Sequence, residues 1–205
     1  NMVDNQININ GIVNTVKGGN FYAGKAIFVS PNGMVVGASG VLNVGSLGVY
    51  APSTSSYNTL VKTQSEAALK SAMTGNNSGA AIKIDGKVIA TNDIKLNATD
   101  IEIGKNGGII AGVNESKMSL IDSHQQADNL FNTLVNTDNL TTGSEFASQH
   151  GVIEIINNTR EENDDPNIAG VINIAGKVIN YTTETISEEK KNSRRKKFPT
   201  NCIKY

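Results

Sequence analysis

Residues 26–50 read AIFVSPNGMVVGASGVLNVGSLGVY, and this stretch decides the fold. Three short apolar segments of β type lie back to back in it: Ala26–Val29, Met34–Val36 and Val41–Val44. Turn-forming residues close each one: Ser30-Pro31-Asn32-Gly33, then Gly37-Ala38-Ser39-Gly40, then Gly45-Ser46. Pro31 holds φ near the value that the second position of a type I or II turn requires. Asn32 and Gly33 tolerate the left-handed backbone of such corners. Segments this short, roughly seven residues apart, suit neither the strands of a sandwich nor helices. They suit the rungs of a solenoid. The expected fold is all-β, a right-handed parallel β-helix.

The same grammar returns on both sides. Upstream, Gln6–Val16 alternates apolar with polar residues, with Ile7, Ile9, Ile12 and Val16 as candidate core residues, and Gly18–Lys25 reads as a loop. Downstream, Ala80–Val113 carries the pairs Ile82/Ile84, Val88/Ile89, Ile94/Leu96, Ile101/Ile103 and Ile109/Ile110. Gly86, Asn92-Asp93, Asn97-Ala98 and Asn106-Gly107-Gly108 punctuate them. The pairs recur every six to eight residues, so three of them make a coil of roughly twenty. Alternation turns each I-x-I pair inward and leaves Lys83, Lys95 and Glu102 in water. Strands resume at Gly151–Ile156. The phrase Ile172-Asn-Ile-Ala-Gly-Lys-Val-Ile179 then repeats Ile82-Lys-Ile-Asp-Gly-Lys-Val-Ile89 at six of eight positions, as a stack of like coils requires.

Two segments break the period. A helix over about Thr59–Met73, capped by Ser55, Ser56 or Asn58 and ended at Gly75, has Leu60, Val61, Ala68, Leu69, Ala72 and Met73 as its apolar set. Ala127, Leu130, Phe131 and Leu134 fall at i, i+3, i+4 and i+7 of a second helix, capped near Asp122 or Ser123. Both insertions, about 55–75 and 120–140, are expected to hang outside a β-helix that covers 1–187. Asn157–Asn167 reads as an acidic loop.

SPNGMVVGASGVLNVGSL resembles the two-partner-secretion, or haemagglutination-activity, domain of filamentous-haemagglutinin-like exoproteins, and most of all the leukotoxin-type filamentous adhesins. That family carries an Asn-Pro-Asn-Gly-Ile/Met turn, a Val/Phe-x-Gly step and a Val/Leu-Asn-Val-Gly-(Gly/Ser)-Leu step. Ser30 stands where the family usually has Asn; Pro31, Asn32, Gly33, Gly37, Asn43, Val44, Gly45 and Leu47 match. The resemblance covers roughly Gln6–Ser53 closely and Ala80–Thr185 more loosely. It implies a secretion-targeting module and first stem coils of a large bacterial adhesin. An outer-membrane transporter of the two-partner type would recognise it through periplasmic domains, and it would end secreted or on the cell surface. By analogy, transporter recognition falls on Ser30, Pro31, Asn32, Gly33 and Met34, while Gly37, Asn43, Gly45 and Leu47 shape the coil. A host-surface glycan or protein, bound through downstream regions, is a further partner that the resemblance implies.

Composition agrees with a solenoid. Hydrophobic content is 38% and aromatic content 5% with no Trp, lean for a globular core but sufficient for stacked Ile and Val. Asn (27 residues) and Gly (20) are abundant, and both suit corners repeated from coil to coil, where stacked Asn amides form ladders. The net charge of −1 hides an asymmetry: 188–205 holds seven basic and two acidic groups, which leaves 1–187 at −6. An acidic body argues against nucleic acid, which needs clustered Lys and Arg. The basic end is expected to be a solvated, disordered tail, the alternative being an anionic-membrane or nucleic-acid patch. The one cysteine, Cys202, allows no intramolecular disulfide. No signal-peptide pattern precedes the first strand, so the chain reads as a fragment that opens inside a repeat.

Catalytic and metal signatures are sparse, and no cofactor or metal is expected. His124 and His150 lie in separate segments, and no nucleophile elbow, His-Glu-x-x-His or phosphate loop occurs. Glu161, Glu162, Asp164 and Asp165 are acidic enough for calcium but lack a calcium-loop spacing. A β-helical polysaccharide enzyme would need paired acids on adjacent coils, for which Asp85, Asp93 and Asp100 are the candidates. An enzyme is not expected. A structural stalk segment of an autotransporter adhesin is the other alternative.

Overall fold

An I-x-I triplet places two side chains on one face, and a strand this short is stable only when others cover it. The computed structural model describes residues 1–74, 80–135, 151–157, 159–162 and 165–180, and in it the triplets pair in parallel into three sheets. β1 (Ile7–Ile9) lies in sheet B and β2 (Ile12–Asn14) in sheet C. A small antiparallel hairpin, β3 (Val16–Lys17) and β4 (Asn20–Phe21), follows. β5 (Lys25–Val29), β6 (Met34–Val36) and β7 (Val41–Val44) then enter sheets A, B and C in turn. β8 (Ser46–Tyr50) returns to A, and helices α1 (Thr54–Thr63) and α2 (Glu66–Thr74) intervene. β9 (Ala81–Ile84) and β10 (Lys87–Ala90) take B and C, and β11 (Ile94–Ala98), β12 (Asp100–Ile103) and β13 (Gly108–Ala111) make another A-B-C round. After helix α3 (His124–Val135) comes β14 (Ile153–Asn157) in A, then the antiparallel pair β15 (Thr159–Glu162) and β16 (Asp165–Ala169). β17 (Ile172–Ile174) and β18 (Lys177–Asn180) close the series in B and C. The described chain is thus mostly β, with parallel sheets.

Register makes the interior continuous. In sheet B, Ile7, Met34, Ile82, Ile101 and Ile172 form one column and Ile9, Val36, Ile84, Ile103 and Ile174 the next. Leu42, Val44, Val88 and Ile109 from sheet C and Leu47, Val49, Ile94 and Leu96 from sheet A complete the same buried cluster. Burying such area, at about 25 cal/mol per Å², stabilises strands too short to hold alone. Ile172 and Ile174 are exposed, in contrast with the fully buried Ile101 and Ile103 one strand below.

Sheet C is apolar on its outer face as well, where Val41, Ile89 and Ile110 meet Ala127, Phe131 and Leu134 of α3. The Phe131 ring rests against Gly108, where a Cβ would collide with it. Lys87 pairs with Asp128 and lies 5.9 Å from the Phe131 ring centre. The outer face of sheet A receives the other helices, with Val29 and Tyr50 against Tyr57, Leu60, Ala68 and Ala72.

Several expectations change. The first insertion begins earlier, with Ser53 accepting from the Ser56 amide, and it is two helices broken at Gln64 (φ 48). Val61 and Leu69 face solvent, and Tyr57, inside α1 because the helix starts earlier, joins the buried set. Val16 is exposed in the β3–β4 hairpin, which replaces the expected loop, and Val13 packs on the core in its place. The acidic segment includes the β15–β16 pair, with a register shift between Arg160 and Glu162. Helix α3 starts one residue after Ser123, whose Oγ accepts from the Gln126 amide at 3.3 Å, with Ala127, Phe131 and Leu134 buried as the spacing requires. Gly75, His150, Asp164 and the 181–205 tail lie outside the described residues.

Candidate functional site

The Ser30–Met34 corner joins β5 to β6 and is fastened on two sides. Ser30 is buried; its hydroxyl donates to the Asn5 carbonyl at 2.8 Å and accepts from the Asn32 amide at 3.1 Å. The Asn32 side-chain amide donates to the Asp4 carbonyl. These bonds tie the corner to the segment that leads into β1. Gly33 has φ 76, and a Cβ there would run into the Ala81 carbonyl at the start of β9. Pro31 and Gly33 are buried, Met34 is 1% exposed in the core, and Asn32 alone of the five residues faces water. The family-like turn is therefore a tightly packed corner that offers one exposed side chain.

The other singled-out residues disperse. Leu47 belongs to the interior of sheet A. Gly37 and Gly45 sit at two different corners, each against the coil that precedes it: Gly37 against the Asn10 side chain, Gly45 against the Ala23 backbone. Asn43, fully buried on the outside of sheet C, has a role that its spacing did not reveal. Its amide donates to Asn14 Oδ1 at 2.7 Å and to the Ser119 carbonyl at 2.8 Å. Asn14 in turn donates to the Ile121 carbonyl at 2.9 Å and accepts from the Ile121 amide at 3.0 Å. The two stacked asparagines thus clamp the strap that leads into α3. Asn43 Oδ1 has no partner, a buried acceptor that costs stability in exchange for this geometry.

The acids considered for an enzyme site do not converge. Asp85 lies at the B–C corner and pairs with Lys83 at 3.6 Å. Asp93, before β11, accepts from the Val152 amide at 2.9 Å, and Asp100, opening β12, accepts from the Val171 amide at 2.9 Å. Each of the latter two fastens the next coil. Among the described residues no group of three or more His, Cys, Asp or Glu side chains is placed to hold a metal. No helix among them is long and apolar enough to cross a membrane.

A hollow of about 230 Å³ lies on the outer face of sheet A beside Tyr50, Lys95 and Glu154. Sequence reading missed it because its polar residues come from four strands that are distant in the chain. Burial raises the Tyr50 pKa above its ordinary 10.0, with Lys95 opposing and Glu154 adding to the shift. Lys83 is raised by Asp85 first and then by Glu102, whose carboxylate lies 3.4 Å away.

Compared with known proteins, the chain matches no family model, no curated sequence and no solved structure.

Proposed function

We propose that the three sheets are the sides of a right-handed parallel β-helix. On this reading the chain is the secretion-targeting and first-stem portion of a large bacterial surface adhesin, exported by an outer-membrane transporter of the two-partner type. The observation that carries the reading is the strand order: the chain passes through A, B and C in that order four times, with every neighbour in these three sheets parallel. Coils joined only to their neighbours can form one after another, so folding can proceed as the chain emerges from a pore. A chain whose single cysteine forms no internal bridge can cross that pore extended.

Within this reading, Asn32 is the residue through which the corner meets the transporter's periplasmic domains, and its buried neighbours hold the corner's shape. Export is tested by pulling down the chain with those domains and by measuring secretion in cells that carry the cognate transporter. Asn32→Ala is expected to lower capture and secretion while the folded chain keeps its far-UV spectrum. Wild-type capture and secretion by Asn32→Ala would remove the recognition role. Gly33→Ala is a poor discriminator, because a side chain at φ 76 against the Ala81 carbonyl disturbs folding by itself.

A further inference from the structure

Sheet A leaves part of its outer face uncovered by α1 and α2, and the hollow of about 230 Å³ lies there. Parallel register arranges its walls in columns. Lys25, Ser46, Asp93 and Val152 share one column, and Gly48, Lys95 and Glu154 the next. Tyr50 bends back over Gly48, where a Cβ would stand 2.8 Å from its ring and 3.2 Å from its hydroxyl oxygen. The missing side chain at Gly48 is thus what lets the phenol reach toward the first column.

We propose that this hollow binds one uncharged pyranose ring of a glycan. Its charges balance: two ammonium groups, Lys25 and Lys95, face two carboxylates, Asp93 and Glu154. Lys95 and Glu154 are paired at 3.0 Å, and Asp93 Oδ1 is held by the Val152 amide at 2.9 Å. The second oxygen of Asp93 is left as an acceptor, and Lys25 makes no ion pair among the described residues. Ser46 and Tyr50 line the same hollow, and burial favours the protonated Tyr50 hydroxyl.

A sugar hydroxyl donates and accepts at once, so vicinal hydroxyls can take a bond from Lys25 and give one to Asp93 without adding charge. A carboxylate ligand would satisfy Lys25 but lie against Asp93 and Glu154, and a cation would face the converse. Val152, half exposed, supplies an apolar wall for the C–H face of a ring. The volume falls below the roughly 300–1,000 Å³ of drug-sized pockets, so it suits one ring rather than an oligosaccharide. The inference does not depend on the export reading.

The test is a titration of the ¹⁵N-labelled full chain, followed by amide shifts. Separate arms hold glucose, galactose, mannose, N-acetylglucosamine, glucuronate and glycine. At least one uncharged sugar is expected to shift the amides of Ser46–Gly48, Asp93–Lys95 and Val152–Glu154 saturably, with a Kd on the order of 1 mM. Lys25→Met and Ser46→Ala should each weaken it about tenfold, while Lys62→Met on α1 leaves it unchanged. The proposal is overturned if glucuronate or glycine binds better than every uncharged sugar, or if no sugar gives saturable shifts there. Wild-type affinity in both hollow variants would overturn it as well.

Discussion

The corner between sheets B and C and the two corners that flank sheet A perform the same turn of the chain, yet they tolerate opposite things. Every excursion in the described chain leaves at a corner flanking A: β3–β4 and α3 between C and A, α1–α2 and β15–β16 between A and B. At the B–C corner the chain turns within a few residues on all five passages. Glycine closes it there by direct backbone contact. A Cβ at Gly86 would strike the carbonyls of Gly37 and Gly40 in the preceding coil, and one at Gly107 would strike that of Ile84. The corners flanking A have glycine contacts too, Gly33 on the Ala81 carbonyl and Gly45 on the Ala23 backbone, and add side-chain bridges from Asp93 to the Val152 amide and from Asp100 to the Val171 amide. Bridges of this kind reach around an inserted element.

The sharpest way to break this contrast is insertion. A Gly-Ser dipeptide placed after Gly86 should destabilise the chain by about 3 kcal/mol or more, because strands of two sheets lose their register. The same dipeptide after Gly18, in the β3–β4 turn, should cost under about 1 kcal/mol. Urea midpoints compare the two, and equal costs would end the distinction between corners.

The interior column is next in size. Ile84→Ala and Ile103→Ala, each at fully buried positions, should cost roughly 2–5 kcal/mol. Lys83→Gln and Lys95→Gln, on the outward side of the same sheets, should stay within about 0.5 kcal/mol in the same melts. The reverse ranking would mean that the faces are assigned wrongly.

Asn43→Ala sharpens the contrast at sheet C, where side chains hold an insertion in place. It removes the bonds to Asn14 and the Ser119 carbonyl but also the unpartnered Oδ1. A loss of about 1–3 kcal/mol is expected, with faster hydrogen exchange over 118–135 and little change over 81–103. Uniformly faster exchange would contradict a local clamp.

The smallest effect is alkaline. Tyr50 is raised by burial above 10.0, and Lys83 by Asp85 and Glu102 above 10.5. For each, the native state holds its proton longer than the unfolded chain. Their contribution is therefore complete below those values and lost as pH climbs through the higher native ones. Tm should fall gradually above about pH 10. In Lys83→Gln with Tyr50→Phe that alkaline fall should shrink, and an undiminished fall would place its origin elsewhere.

Residues 26–50 announced their strands and corners because each corner lies within a few residues of the strands it joins. The Ile82–Ile89 and Ile172–Ile179 phrases were legible for the same reason, and both occupy sheets B and C across the glycine corner. The α3 face could be read because i, i+3, i+4, i+7 spacing is local. The Gln64 break could not, since it depends on a left-handed residue that no glycine marks. Neither could the Asn14–Asn43 clamp nor the hollow on sheet A, whose members meet only through stacking across distant coils. Ser30 and Asn32 were legible as turn residues, but their ties to Asn5 and Asp4 arise from the neighbouring coil.

The proposed β-helix rests on strands stacked in parallel, and interstrand nuclear Overhauser effects test this most directly. Sheet B requires contacts between backbone protons of Val35–Val36 and Lys83–Ile84, and between those of Glu102–Ile103 and Lys83–Ile84. Observation of both sets, without cross-strand contacts between β9 and β10, is the expected result. Strong antiparallel contacts between β9 and β10 would contradict it, and with it the proposed export role.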